Sequence, residues 1–132
     1  MKYLLDTNLC IYIIKRKPTE VFNRFRNCNI GDIGISTITI AELTYGTQKS
    51  QHPEKNQSAL DQFLLPLEIV EFDIAAAQVY GSIRAQLEKK GTPIGPLDFL
   101  IAAQALSLGI NLVTNNEREF LRVPGLTVEN WA

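Results

Sequence analysis

Apolar residues along this chain come in two kinds of segment, which alternate. Short solid runs sit between turn residues, and longer stretches repeat their apolar positions at helical spacing. Residues 3 to 5 form the first short run, ending at Asp6-Thr7-Asn8, a cluster of helix-capping types. Leu9 to Ile14 then reads as a buried helix, closed by the cations Lys15-Arg16-Lys17. Pro18 to about Arg26 predicts a second helix with Val21, Phe22 and Phe25 on one side. Ile33 to Ile35 predicts a strand, and Ser36 can cap a helix running to about Lys49. Pro53 opens another helix, with Leu60, Phe63 and Leu64 inward, and residues 67 to 72 read as a strand. Asp73 caps a long helix in which Ala76, Tyr80, Ile83 and Leu87 recur, and Gly91 ends it. A stiff loop, Thr92-Pro93-Ile94-Gly95-Pro96, precedes a helix from about Leu97 to Leu108, stopped by Gly109. Leu112-Val113 is a strand, Thr114 to Asn116 a turn, Glu117 to Leu121 one helical turn, and Leu126 to Val128 a last strand.

Short apolar strands alternating with helices predict an α/β fold: a mostly parallel sheet of about four or five strands, flanked by helices on both faces. In such sheets ligands bind at the carboxyl ends of the strands, where Asp6 and the Thr114–Asn116 turn fall. The chain has 132 residues, which makes residues 1–132 a single domain. Hydrophobic residues are 45% and charged residues 20%, enough apolar mass for an ordinary core. Thirteen Lys and Arg against fourteen Asp and Glu exclude a basic nucleic-acid coat and a polybasic membrane binder. Any contact with RNA or DNA must use a local patch. Cys10 and Cys28 make no disulfide framework and read as reduced thiols of a cytoplasmic protein. His52 is the single histidine, which excludes a His-rich zinc site and leaves a Ser-His-Asp triad without support. No apolar run reaches the ~18 residues of a membrane span, and the acid at position 6 is wrong for a signal peptide.

Three carboxylates stand where apolar residues belong. Asp6 ends the first strand, and its ordinary explanation is a helix cap. Glu42 shares a helical stripe with Ile38, Ala41 and Tyr45, so it points where apolar side chains point. A buried Arg or Lys partner is the ordinary explanation there. Asp98 shares a stripe with Ile101, Ala102 and Ala105, in a first turn where the helix dipole favours an anion by about 0.3–1 kcal/mol. That dipole does not account for the stiff loop that fixes the position of Asp98. The joint explanation is one site where the acids converge. Crowded carboxylates repel one another, and a hard divalent cation removes the conflict. With oxygen ligands only, Mg²⁺ or Mn²⁺ is expected rather than Zn²⁺. Such an ion suits metal-assisted hydrolysis of a phosphodiester.

Four segments, Leu5-Asp6-Thr7-Asn8, Ala41-Glu42-Leu43-Thr44-Tyr45-Gly46, Pro93-Ile94-Gly95-Pro96-Leu97-Asp98 and Val113-Thr114-Asn115-Asn116, resemble in order the motifs of PIN-domain ribonucleases. More narrowly, the whole chain resembles the VapC toxins of bacterial toxin–antitoxin pairs. The resemblance implies a Mg²⁺-dependent endoribonuclease, with Asp6 and Asp98 as main metal ligands. It makes Glu42 a further ligand or the group that orients a water, with Thr7, Asn8 and Thr114 in support. The implied chemistry is attack of a metal-activated water, leaving a 5′-phosphate and a 3′-hydroxyl. Pro-Ile-Gly-Pro-x-Asp with Thr-Asn-Asn-x-x-Glu-Phe resembles the enteric-type branch. That branch implies cleavage of initiator tRNA in its anticodon stem-loop, which inhibits translation. A VapB antitoxin whose C-terminal segment covers the groove, a toxin homodimer and larger toxin–antitoxin assemblies are also implied.

One position departs from the family pattern. Many members carry an acid where this chain has Asn116, and Glu119 can return a carboxylate if residues 116 to 119 make a helical turn. Glu117 reads as a solvated surface acid. Lys15, Arg16, Lys17, Arg84 and Arg118 are the candidate RNA contacts, each otherwise an ordinary solvated side chain. Two other readings compete. An aspartyl-phosphate phosphotransferase wants a second Asp two residues after Asp6, where Asn8 stands. A catalytically weak PIN-like module that binds RNA or protein has Asn116 as its one hint.

Overall fold

The computed structural model describes residues 1–132 as one α/β unit. The elements are β1 (Tyr3–Leu5), α1 (Thr7–Lys15), α2 (Thr19–Arg26), β2 (Ile33–Ser36), α3 (Thr37–Gln48) and α4 (Pro53–Leu64). They continue with β3 (Glu68–Val70), α5 (Ile74–Lys89), α6 (Pro96–Leu108), β4 (Asn111–Val113), α7 (Glu117–Phe120) and β5 (Val128–Glu129). All five strands are parallel, in the order β3-β2-β1-β4-β5. Every predicted element forms. The last strand lies two residues later than its apolar pattern suggests, because Val123, Gly125 and Leu126 make a turn before it. The Leu126 N–H donates to the Val123 carbonyl, and pairing starts only at Val128, opposite Leu112.

The three central strands, β1, β2 and β4, are buried and alternate their side chains between two cores, while β3 and β5 form the more exposed edges. Leu4 and Leu112 point to one face, where they meet Ile83 and Leu87 of α5, Phe99, Ile101 and Ala105 of α6, and Phe120 of α7. Leu5, Val113, Ile33 and Ile35 point to the other, against Leu9 and Ile13 of α1, Val21 of α2, Leu43 of α3 and Leu60 of α4. The chain builds outward from β1 through β2 to β3, then returns across the sheet to place β4 and β5 on the other side of β1. The order therefore reverses between β1 and β4, which opens a crevice beyond their carboxyl ends. Asp6 and Thr114 follow those two strands directly.

A buried polar chain ties the neighbouring strand end to this crevice. The Ser36 hydroxyl caps α3 by accepting from the Ile38 N–H, and it donates to Gln104 Oε1 at 3.0 Å. Gln104 Nε2 in turn donates to the Glu71 carbonyl, so β2, α6 and the β3–α5 connection are fixed together. Replacing Ser36 by Ala removes a cap and leaves the buried Gln104 oxygen without a donor. Each effect costs about 1 kcal/mol or more, so Ser36→Ala should lower the unfolding free energy by about 2 kcal/mol. Urea denaturation measures it, and an unchanged midpoint would show that this chain of hydrogen bonds is not needed.

Candidate active site

Asp6 is 5% exposed and caps α1 from the end of β1. One carboxylate oxygen accepts the Leu9 N–H at 2.8 Å, and the other accepts the Thr114 hydroxyl, which comes from the end of β4. Two donors from two elements fix the group at the strand-order reversal. Burial raises its pKa above the usual carboxylate range; the two hydrogen bonds oppose the rise, and the Glu42 charge adds to it. Asp6 therefore caps α1 and at the same time stands at the strand-order reversal, so the two explanations do not exclude each other. Beneath it Cys10 is fully buried, and that burial, with the Asp6 charge, holds its thiol well above its usual range.

Glu42 is half-buried on α3, and its Oε1 accepts the Thr7 hydroxyl at 2.7 Å. The structure corrects the stripe assigned to this helix. Its core face is Thr39, Leu43 and Thr47, while Ala41 and Tyr45 are exposed. Glu42 lies beside that core face rather than on it. It is also not half of a buried ion pair, since the chain's salt bridges are Lys2–Asp32, Arg24–Glu129 and Arg84–Glu88.

Asp98 stands half-buried in the first turn of α6, after the Pro93–Pro96 loop. A Cβ on Gly95 would come within 3.1 Å of Asp98 Oδ2, so a larger residue there would make the carboxylate give way by a few tenths of an ångström. Burial, followed by a hydrogen bond with Glu119 and the charges of Glu119, Asp6 and Glu42, pushes the Asp98 pKa up to about 7. Two carboxyl groups can hydrogen-bond only if one holds a proton, so Asp98 donates to Glu119 below that pH. Asn116 does not stand in for the missing acid. Its Nδ2 donates to Glu119 Oε2 at 3.1 Å, and its backbone N–H donates to the Thr114 hydroxyl. Glu119 supplies the fourth carboxylate, and Asn116 holds it.

Asp6, Glu42, Asp98 and Glu119 therefore lie within one another's electric fields. No three are drawn tightly enough together to grip an ion as they stand. Their chemistry fits a hard cation: every donor is oxygen, no Lys or Arg pairs with any of them, and burial beside Glu119 raises the Asp98 pKa. Asn8 is exposed at the start of α1. Tyr12 and Asn115 were not apparent in the sequence. The Asn115 amide donates to Tyr12 Oη at 2.7 Å, tying the turn beyond Thr114 to α1. Nothing in a tyrosine within an apolar helix signals that contact.

The candidate RNA contacts divide. Lys15, Arg16, Lys17 and Arg118 are exposed and unpaired, and Lys15 borders the same groove as Thr7 and Glu42. The Arg16 guanidinium lies 5.2 Å from the centre of the Phe22 ring. Arg84 is already engaged, hydrogen-bonded to Tyr80 Oη and Glu88 and packed over Phe99, the neighbour of Asp98.

An α/β scaffold that gathers acids at the reversal of its strand order has close counterparts among known proteins. The sequence model of the PIN domain matches residues 3–126. The chain belongs to the PIN-domain family, in its VapC branch. It is 48% identical over 132 residues to the tRNA(fMet)-specific endonuclease VapC of Shigella flexneri, covering 100% of this chain and 99% of that protein. The fold superposes with a TM-score of 0.94 on DNA-bound VapBC from Salmonella typhimurium, at 48% identity and covering 100% and 99% of the two chains. It superposes with a TM-score of 0.91 on VapBC2 from Rickettsia felis bound to a promoter DNA fragment, at 44% identity and full coverage of both chains.

The Asp98–Glu119 pair makes a stability prediction. Asp98 holds its proton to about pH 7 in the folded state and loses it near pH 4 when unfolded. The folded state therefore binds more protons between those values, and metal-free stability falls as pH rises from about 4 to 7, then levels. Asp98→Asn should remove that loss. Solvent screening of a half-exposed group limits the gain at pH 8 to about 1 kcal/mol, or ~4 °C in Tm. At pH 4.5 the variant and wild type should melt alike. A variant less stable than wild type at pH 8 would show that Asp98 has an attractive partner instead.

Proposed function

We propose that this protein is a Mg²⁺-dependent endoribonuclease toxin that cuts the anticodon stem-loop of initiator tRNA and is neutralised by a VapB-type antitoxin. The observation that carries the reading is the group of four carboxylates without a cationic partner, held at the carboxyl edge of the sheet. The substrate follows from the tRNA(fMet)-specific relative matched over its whole length. Asp6 and Asp98 would hold the ion, Mg²⁺ or Mn²⁺, with Glu42 and Glu119 completing its surroundings or orienting water. Such an ion would neutralise the acids and supply Lewis-acid polarisation of a phosphate and of a water. The chain's own residues supply the positioning. Thr114 and the Leu9 N–H fix Asp6, Thr7 fixes Glu42, and Asn116 fixes Glu119.

RNA approaching the acids needs cations along the rim, and Lys15, Arg16, Lys17 and Arg118 are free to provide them. The antitoxin has a place to lie. A groove of about 310 Å³ runs between α1, α3 and α4, lined by Ile11, Ile14, Leu43 and Leu60, with Thr7 and Glu42 at its border. An apolar antitoxin segment ending in a cation matches it in shape and charge. We place the protein in the cytoplasm as a homodimer that assembles further with its antitoxin; no helix is long and apolar enough to cross a membrane.

Cleavage of initiator tRNA by the purified protein, with sequencing of the RNA ends, tests the reading. Wild type should cut in Mg²⁺ and stop in EDTA, and Asp6→Asn and Asp98→Asn should each slow cleavage on the order of 10²–10³-fold, several kcal/mol of lost charge stabilisation. Equal cutting by all three would overturn it. Glu42→Gln should also lose activity while its metal-free stability stays level or rises, because one repelling charge is gone. A large drop in its Tm would show that Glu42 has a structural role.

A further inference from the structure

Of the eleven aromatic residues, ten are buried or half-buried, and Tyr45 alone is exposed, at 65%. The core does not need it, since α3 packs through Thr39, Leu43 and Thr47. It lies one helical turn beyond Glu42, on the same side of α3. Ile38, which precedes Glu42 by one turn on that flank, packs on the cluster that contains Phe99, next to Asp98. Tyr45 thus lies one turn from the Glu42 carboxylate and outside the apolar groove lined by α1 and α4. Its ring has a cation as well: Lys49 Nζ lies 4.7 Å from the ring centre, and Lys49 is itself exposed with no acidic partner.

We propose that Tyr45 is a stacking platform for one unpaired base of the RNA substrate, with Lys49 steadying the ring and meeting the adjoining phosphate. The inference rests on the ribonuclease reading and adds to it a residue that selects looped-out over paired nucleotides. A duplex keeps its bases stacked on each other and offers no face to an aromatic side chain, whereas a loop does. A ring already fixed by a cation loses little freedom when a base settles on it. The cation also supplies the positive charge that a phosphate needs beside four acids.

Steady-state cleavage of an RNA hairpin carrying 2-aminopurine in its loop tests this in the intact protein, with Tyr45→Ala, Tyr45→Phe and light scattering of each. Tyr45→Ala should raise KM about tenfold, equivalent to about 1.4 kcal/mol, leave kcat within about twofold, and abolish the quenching of loop fluorescence on binding. Tyr45→Phe keeps the ring and should behave as wild type. An unchanged KM and unchanged quenching in Tyr45→Ala would overturn the platform alone, since wild type would still cut RNA. A change of oligomeric mass in Tyr45→Ala would overturn it in favour of a second copy of the chain on this face. A wild-type protein that cuts no RNA would overturn the ribonuclease reading itself.

Discussion

Mutual repulsion among Asp6, Glu42, Asp98 and Glu119 is the constraint around which this molecule is built. Two unit charges 4 Å apart repel by about 4 kcal/mol in a partly screened protein surface, and the chain offers these groups no Lys or Arg. It offers neutral donors instead: the Thr7 and Thr114 hydroxyls, the Leu9 N–H and the Asn116 amide. Neutral donors hold a carboxylate in place without neutralising it. Burial, with Glu119 beside it, pushes the Asp98 pKa up to about 7, so part of the remaining charge is relieved by a proton held there. On the proposed reading, a divalent cation would displace that proton.

The scaffold accounts for how four acids from distant segments meet. Parallel strands send all their carboxyl ends to one edge, and the reversal of strand order between β1 and β4 opens that edge. Asp6 and Thr114 sit on the two sides of the opening. Asp98 and Glu119 arrive from opposite ends of a longer path, through α6 and the single turn of α7. That turn is too short to be stable alone, and it is anchored by the buried Phe120 and Val123. Just beyond it, Arg122 donates to the Pro93 carbonyl at 2.8 Å, fixing the distance between α7 and the loop before Asp98.

What was legible in the sequence follows from which signals are local. Capping residues, Gly and Pro breaks and two-sided apolar runs are local, so the elements and the parallel α/β fold could be read almost to their ends. Asp6 and Asp98 were legible because each is an acid at an element boundary before or within an apolar segment. The orientation of Glu42 is less legible because helical spacing treats Ala41 and Tyr45 as inward, whereas two threonines and a leucine make the core face of α3. Threonine carries a methyl group and can pack, but hydropathy counts it as polar. That Glu119 could return a carboxylate is legible from its spacing to Asn116, but that the Asn116 amide holds it is not. It depends on how a four-residue turn seats against α6, which is a matter of tertiary packing.

The most direct measurement of the central idea is calorimetric titration of the metal-free protein with Mn²⁺ in buffers of different ionisation enthalpy. If a cation replaces the shared proton, binding should release close to one proton at pH 6 and close to none at pH 8.5, with tighter binding at the higher pH. Binding that releases no proton at either pH, or no binding at all, would contradict the account.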